Sequence, residues 1–499
     1  MTFLLFCSLL LTETGLTPTT LSAEIDTILT EPQFIGGFWG VMVYAPLRKK
    51  VLLERNPMGN FRPASNAKIL TALMAFEYLG PNYRFDTEIG YTGSISEGVL
   101  HGDLVVFGWG DPSFSGNYEP GIHTRDYLAS VASAVRAHGI RRIEGDLVGV
   151  ADMFDEVAIP KSWEWDDVGQ DYCVPITPLS LHDGWIEINL MADANGNISR
   201  EVFPAWTPDL RLNVEATSKP GRSKLKYDRP WGTNHFTISG NLAPCDSVRL
   251  TPAAWNPTLQ FLASLKGFLN DAGVPVAGAF RKGARPERTH PIHVTTSATV
   301  SELSKILMKE SQNHYSDLFF KTMGYHYRGE GSFSAGISLA WDLIESIIPK
   351  PETMRGFSLR DGSGMSAQNY LNPQLISALL DYGLRQPWRE AWLATFPIMG
   401  VDGTLEERGL FDPSLQRRVW AKTGYIYRTR NLSGYTETLA GEPLVFVLLA
   451  NNYSTATKNV EHAQDRICAI LRRLEPSNEV RDQQDKLFGL SKTFDAIAE

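Results

Sequence analysis

Three short polar strings stand in a fixed order in this 499-residue chain: Ser65-Asn66-Ala67-Lys68, Ser311-Gln312-Asn313 and Lys422-Thr423-Gly424. The first serine and the second are 246 residues apart. If the strings meet at one site, the chain must leave that site after the first and return to it for the second. That spacing leaves room for a long excursion between the two strings. Singly, each string is weak evidence. About one or two Ser-x-x-Lys matches arise by chance in a chain of this size, and a second does stand at Ser223 to Lys226.

Local context separates the two matches. Ser223 lies among Pro, Gly and basic residues with no apolar period, which reads as a solvated loop. After Pro63, by contrast, Ile69, Leu70, Leu73, Met74, Phe76 and Leu79 recur at three- and four-residue steps until Gly80-Pro81 ends the run. This predicts a buried amphipathic helix with Ser65 and Lys68 on one face, about one turn apart. The plainer reading makes Ser65 an N-cap. Ser311 and Asn313 fall between two apolar-periodic stretches, Leu303-Ile306-Leu307 and Tyr315-Leu318-Phe319-Met323, where a turn can present both to a cleft. Lys422-Thr423-Gly424 lies in a β-rich segment from Val419 to Tyr427, followed by a second strand at Leu444 to Leu449. A glycine inside a strand suggests close backbone approach, here of a ligand.

The chemistry of these residue types is nucleophilic. A serine hydroxyl attacks only when a neighbour takes its proton, and a lysine can do so when burial and a second cation hold its ammonium partly deprotonated. Lys68 and Lys422 fit those two parts, and the helix N-terminus adds partial positive charge beside Ser65.

Composition excludes other classes. With 43% hydrophobic and 21% charged residues the chain is an ordinary globular one, longer than one core usually organises. A net charge of -9 provides no basic footprint for nucleic acid. The apolar run Phe3 to Leu11, with small residues at Leu21-Ser22-Ala23, reads as an export signal over 1–23, although no Lys or Arg precedes it. No later stretch is long and apolar enough to span a bilayer. Cys173, Cys245 and Cys468, with Cys7 in the signal, give neither a disulfide framework nor zinc spacing. His290 and His293 flank Pro291 and read as surface loop. No metal or cofactor is expected.

Phe34 to Tyr44 and Lys50 to Arg55 read as paired strands opening the main sheet, and Val460 to Leu474 as a closing helix. The middle is β-rich, with short strands predicted at Leu104 to Phe107, Asp146 to Val150, Trp185 to Leu190 and His235 to Ile238.

In its three ordered strings the chain resembles the low-molecular-mass class C penicillin-binding proteins, the serine D-alanyl-D-alanine carboxypeptidases and endopeptidases of peptidoglycan. The likeness extends to Gly108-Trp109-Gly110-Asp111-Pro112, Ile143-Glu144-Gly145-Asp146-Leu147, Asp361-Gly362-Ser363-Gly364-Met365-Ser366 and Pro397 to Leu405. It implies an α/β (α+β) fold: a penicillin-binding/β-lactamase-like transpeptidase domain, an antiparallel sheet covered by helices, split as 24–86 and 295–474. Between the first and second motifs lies a β-rich insertion, 87–294, of two small domains, and 475–499 is a polar tail. The resemblance further implies peptidoglycan stem peptides and β-lactam antibiotics as partners and a periplasmic or otherwise exported location.

Roles follow by the same resemblance. Ser65 is the nucleophile, Lys68 its base, Ser311 a proton shuttle to the leaving amine, and Asn313 a holder of Lys68 and of the substrate carbonyl. Lys422 and Thr423 grip the substrate carboxylate, Gly424 lets the strand approach closely, and the backbone N–H groups of Ser65 and Tyr425 form the oxyanion hole. Three positions depart from the pattern: Gln312 for a central Asp, Tyr425 where Ser or Thr is usual, and Ala367 where Arg is frequent. Two other readings are a β-lactamase or serine esterase, with Tyr370-Leu371-Asn372 as its Tyr-x-Asn, and a non-catalytic peptidoglycan binder.

Overall fold

The computed structural model describes residues 18–348 and 356–475. The central element is a five-stranded antiparallel sheet in the order Val419–Ile426, Thr429–Glu437, Pro443–Asn451, Phe38–Ala45, Lys50–Arg55. Strands from the two ends of the chain are neighbours in it, with Phe38 opposite Asn451 and Tyr44 opposite Val445. The strand Pro443–Asn451 is buried along its whole length because both faces are covered. Alternation of side chains along a strand sends Val445, Val447 and Leu449 into one core, with Leu73, Phe76 and Leu379. Leu444, Phe446 and Leu448 go into the other, with Leu21, Ile25, Ile467 and Leu471. The first core lies under the helices Ala67–Met74 and Pro373–Leu384, the second under Pro18–Leu29 and Thr457–Arg472.

Several boundaries differ from expectation for local reasons. The opening strand starts at Phe38, not Phe34, because Gly36 turns the chain at φ +86° and leaves Phe34 in a short turn, packed edge-on against Trp39. The closing helix runs Thr457–Arg472. The Leu21-Ser22-Ala23 site falls inside the first helix, and Leu21 is fully buried, so a cut there would remove a core residue. The run Phe3 to Leu11, Cys7 and nearly all of the tail lie outside the described residues.

The excursion between the first and second motifs leaves on strand Arg84–Tyr91 and returns on His290–Thr299, paired antiparallel with Tyr91 opposite His290. His290 and His293 are therefore strand residues, not loop, and the His290 ring stacks on Tyr91. These two strands belong to a five-stranded sheet with Leu104–Phe107, Leu147–Val150 and Phe280–Gly283. Two helices pack on it, Thr124–Ala137 and Pro257–Asp271, through Tyr127, Leu128 and Val131 against Phe261, Leu262 and Leu265. A separate core around Ile186, Ile188, Phe236 and Ile238 joins two three-stranded sheets. The two helices escaped the β-rich reading, although Asn256 before Pro257 is a helix-start signal and does cap that helix through Leu259 N–H.

Candidate active site

Ser65 sits in a single 3-10 turn, Ala64–Asn66, that leads into the helix Ala67–Met74. It is not the helix N-cap. Asn66 holds that position, and the Ser65 hydroxyl instead accepts a hydrogen bond from Lys68 Nζ at 2.9 Å. Ala64 is held at φ +45°, a conformation that costs a non-glycine residue free energy and persists only where neighbours over-determine it. They do. Asn431 Nδ2 donates to the carbonyls of Arg62 and Pro63, Asn66 Nδ2 donates to the Lys422 carbonyl at 2.9 Å, and Ser433 Oγ donates to Asn66 Oδ1 at 2.6 Å. The nucleophile turn is thereby fastened to the Lys422 strand.

Gly424 serves the same seam. A Cβ there would lie 2.7 Å from the Pro63 carbonyl oxygen and 3.2 Å from Asn66 N. The chain's own serine turn makes a close approach at this glycine.

Lys68 is fully buried, and its ammonium donates three hydrogen bonds: to Ser65 Oγ, to Asn313 Oδ1 at 2.5 Å and to the Ser363 carbonyl at 2.7 Å. Burial brings its pKa down to about 7, against the attraction of Asp317 and Asp361, which favours the charged form. Asp317 is itself pushed up to about 7, by burial and by the charge of Asp361. Its Oδ1 accepts the N–H groups of Gly362 and Ser363.

Ser311 links two helices, Val300–Lys309 and Asn313–Arg328, at φ +58°. The turn anticipated from the apolar periods is there, and it aims Ser311 and Asn313 at the cleft. Asn313 also donates from Nδ2 to the Tyr172 carbonyl at 2.8 Å. Gln312 caps the second helix by accepting from His314 N–H.

On the opposite wall Thr423 and Tyr425 point into the cleft from one face of their strand, and Thr423 Oγ1 donates to Thr404 Oγ1 at 2.8 Å. Lys422 points the other way, is fully buried and donates to the Thr423 carbonyl at 3.1 Å. Its pKa is driven well below the usual lysine value by burial first, then by repulsion from Lys68 and Arg430. Arg430, directly across the strands from Tyr425, does reach the cleft, with its guanidinium 5.8 Å from the Tyr425 ring.

The cleft holds about 490 Å³. Its third wall comes from the inserted region, where Glu164, Asp167 and Tyr172 face inward. That loop is docked by Trp163, whose Nε1 donates to buried Asp361 at 2.9 Å. Sequence reasoning missed Asp317, Thr404, Arg430 and this loop. Of the two alternative strings, Ser223 donates to Asp246 in an exposed stretch. Asn372 caps the helix Pro373–Leu384, and Leu371 bridges Phe61. Ala367 is not among the residues lining the cleft. Cys173, Cys245 and Cys468 are free thiols. Among the described residues no helix is long and apolar enough to cross a membrane.

A serine bonded to a buried, neutralisable lysine, at the edge of an antiparallel sheet between helices, defines a serine acyl-transfer enzyme of the penicillin-binding and β-lactamase-like class. The chain belongs to the D-Ala-D-Ala carboxypeptidase 3 (S13) family, which matches residues 21–474. It is 30% identical over 457 residues to the D-alanyl-D-alanine carboxypeptidase of Actinomadura sp. (strain R39), covering 87% of this chain and 82% of that one. The crystal structure of penicillin binding protein 4 (dacB) from Haemophilus influenzae superposes with a TM-score of 0.76 at 25% identity, covering 90% of this chain and 99% of that one. The same Haemophilus protein complexed with a novel β-lactam gives 0.70 at 25% identity, covering 89% and 97%. This chain is a serine-type D-alanyl-D-alanine carboxypeptidase.

Proposed function

We propose that Ser65 attacks the carbonyl between the two C-terminal D-alanines of a peptidoglycan stem peptide, with Lys68 as its base. One observation carries the assignment: Lys68 Nζ lies within hydrogen-bond reach of Ser65 Oγ and Asn313 Oδ1 together. The Ser65 proton passes to neutral Lys68 as the Oγ–C bond forms. The C–N bond then breaks, and Ser311 relays the proton to the leaving D-alanine amine. Water adds to the acyl-enzyme, and the acid departs as Ser65 regains its proton. The backbone N–H groups of Ser65 and Tyr425 stabilise the oxyanion.

The substrate carboxylate is taken by the Thr423 hydroxyl, with buried Lys422 and Arg430, the latter already paired with Glu461 at 2.7 Å, as the nearby cationic side chains. A carboxylate bound near Lys422 favours its charged form, so substrate binding and the lysine's charge support each other. The acidic wall of Glu164 and Asp167 suits a stem peptide whose side chain carries an ammonium group. Cleavage of a D-alanyl cross-link changes only the leaving amine, and the same residues perform it. Peptidoglycan as substrate places the enzyme outside the cytoplasmic membrane.

The Haemophilus protein's β-lactam complex supports penicillin as a covalent ligand here, because the strained amide imitates the scissile bond. Intact-mass spectrometry after penicillin should show one adduct, and peptide mapping should place it on Ser65. A folded protein that takes no adduct, or takes it elsewhere, removes Ser65 as nucleophile.

A further inference from the structure

Two tryptophans stand on the surface of the inserted region with their rings stacked on each other. Trp165 and Trp231 are 68% and 49% exposed, and their centroids lie 4.3 Å apart at 16°. Trp231 in turn meets Trp255 edge-on at 4.8 Å. Exposed apolar side chains are common singly, but paired exposed indoles, the largest side chains available, are a costly surface to keep in water. Beside them lies a shallow cavity of about 230 Å³ with Asp166, Gln170 and Asp228 on its rim.

The position of this patch decides what it serves. Trp165 belongs to the same loop as the third wall of the catalytic cleft, and the loop's residues divide between two sides. Glu164, Asp167 and Tyr172 face the cleft. Trp165, Asp166 and Val168 face the outer cavity. Neighbouring Cα atoms are about 3.8 Å apart and five extended residues span roughly 17 Å, so the patch lies within a stem peptide's reach of the cleft. A stem peptide enters that cleft by its C-terminus, and its other end is bonded to an amino-sugar strand. The two surfaces are built from alternating residues of one loop, so one polymer can engage both.

We propose that Trp165 and Trp231 form a platform for the N-acetylated sugar strand of peptidoglycan, a second subsite that engages the polymer while the cleft engages the peptide. A pyranose ring offers an apolar C–H face to the electron-rich face of an indole and hydroxyl and amide edges to flanking acceptors such as Asp166, Asp228 and Gln170. Asp166 and Asp228 outnumber the one cation of the cavity, Arg229, whose guanidinium donates to the Ala253 carbonyl, so a phosphate-bearing polymer is not favoured. The proposal rests on peptidoglycan being the substrate, and it adds the glycan to the part of that substrate the protein recognises.

The test uses the full chain with Trp231→Ala and, separately, Trp165→Ala. Three readouts are compared: D-alanine release from a soluble pentapeptide, release from intact sacculi, and quenching of tryptophan fluorescence by a tetramer of N-acetylglucosamine. Each variant should stay within about twofold of wild type on the soluble peptide and in penicillin acylation, while half-saturation on sacculi rises about tenfold or more. The tetramer should quench wild-type fluorescence and lose that effect in both variants. Equal losses on peptide and sacculi would make the stack a clamp for the loop and overturn the proposal. Unchanged sacculus turnover would also overturn it, and so would a wild-type protein that the tetramer does not bind. A wild type that ignores pentapeptide and penicillin but binds the tetramer would instead overturn the catalytic assignment alone.

Discussion

Asp317 and Lys68 are joined through a single residue: Ser363 donates its N–H to Asp317 Oδ1 at 3.0 Å, and its carbonyl accepts from Lys68 Nζ at 2.7 Å. The carboxylate therefore acts on the base in two ways. It fixes the turn that receives the ammonium, and its charge favours the protonated lysine.

The two effects separate in Asp317→Asn, which keeps an oxygen for the Gly362 and Ser363 N–H groups but removes the charge. Acylation needs neutral Lys68, so the wild-type rate should climb as pH rises through about 7. Without the carboxylate the Lys68 pKa falls further, and the climb should move to lower pH. Second-order penicillin acylation, followed from about pH 5 to about pH 9, reads this directly. An unshifted limb with a uniformly lower rate would leave Asp317 only its turn-holding part. Stability has its own sign. The folded Lys68 pKa lies below the ordinary lysine value of 10.5, so between those two values the unfolded chain binds more protons. The Lys68 contribution therefore destabilises most below the lower value and is relieved as pH rises through the window.

A methyl group at Gly424 should separate the serine turn from the strand. The added Cβ meets two backbone atoms, Pro63 O at 2.7 Å and Asn66 N at 3.2 Å, neither of which can rotate away. Gly424→Ala should cost about 1–3 kcal/mol of stability from overpacking and slow acylation by roughly 10², the effect of a misplacement near 1 Å. Thermal unfolding and stopped-flow acylation would measure the two. Wild-type acylation in the variant would show that the seam does not position Ser65.

The helix run after Pro63, the turn at Ser311 and the strand at Lys422 were legible because each carries a period or a breaker that local physics reads directly. Gly424 shows the limit of that reading: the sequence announces a close approach, but its partner is a turn more than 350 residues away. Asp317, four residues after Asn313, lies on the same side of one helix and was within reach of spacing arguments. Nothing in the stretch Lys161 to Cys173 announces a cleft wall. It has no apolar period, and it is positioned by the long-range bond from Trp163 to Asp361.

Lys422→Ala tests whether a lysine buried under the strand, close enough to Lys68 to be repelled by it, serves a carboxylate bound in the cleft. The group is fully buried, and burial with repulsion from Lys68 and Arg430 holds its pKa well below the usual lysine value, so a bound carboxylate should favour its charged form. A peptide ending in D-alanyl-D-alanine should lose much more kcat/KM than its C-terminal amide, which brings no charge. Steady-state rates on the pair decide the matter. Equal losses on both peptides would reassign Lys422 to holding the strand and the charge state of Lys68.

Tyr425 is the position where the chain departs furthest from the Ser or Thr usual in the proteins it resembles. Its side chain is 56% exposed on the cleft face of the strand, beside Thr423 and directly across from Arg430. A phenol there places no hydroxyl near the strand, and its ring stands beside the guanidinium. Tyr425→Thr should add one hydroxyl beside Thr423 and open Arg430 to the substrate, with both changes favouring a carboxylate. One added charge-assisted hydrogen bond is worth about 1.5–3 kcal/mol, so the KM for short D-alanyl-D-alanine peptides should fall by about tenfold or more while the amide is unaffected. Penicillin, which also carries a carboxylate, should acylate faster at low concentration. If both ligands bind no better, or the peptide binds worse, the Tyr425 ring is itself a contact for the stem peptide.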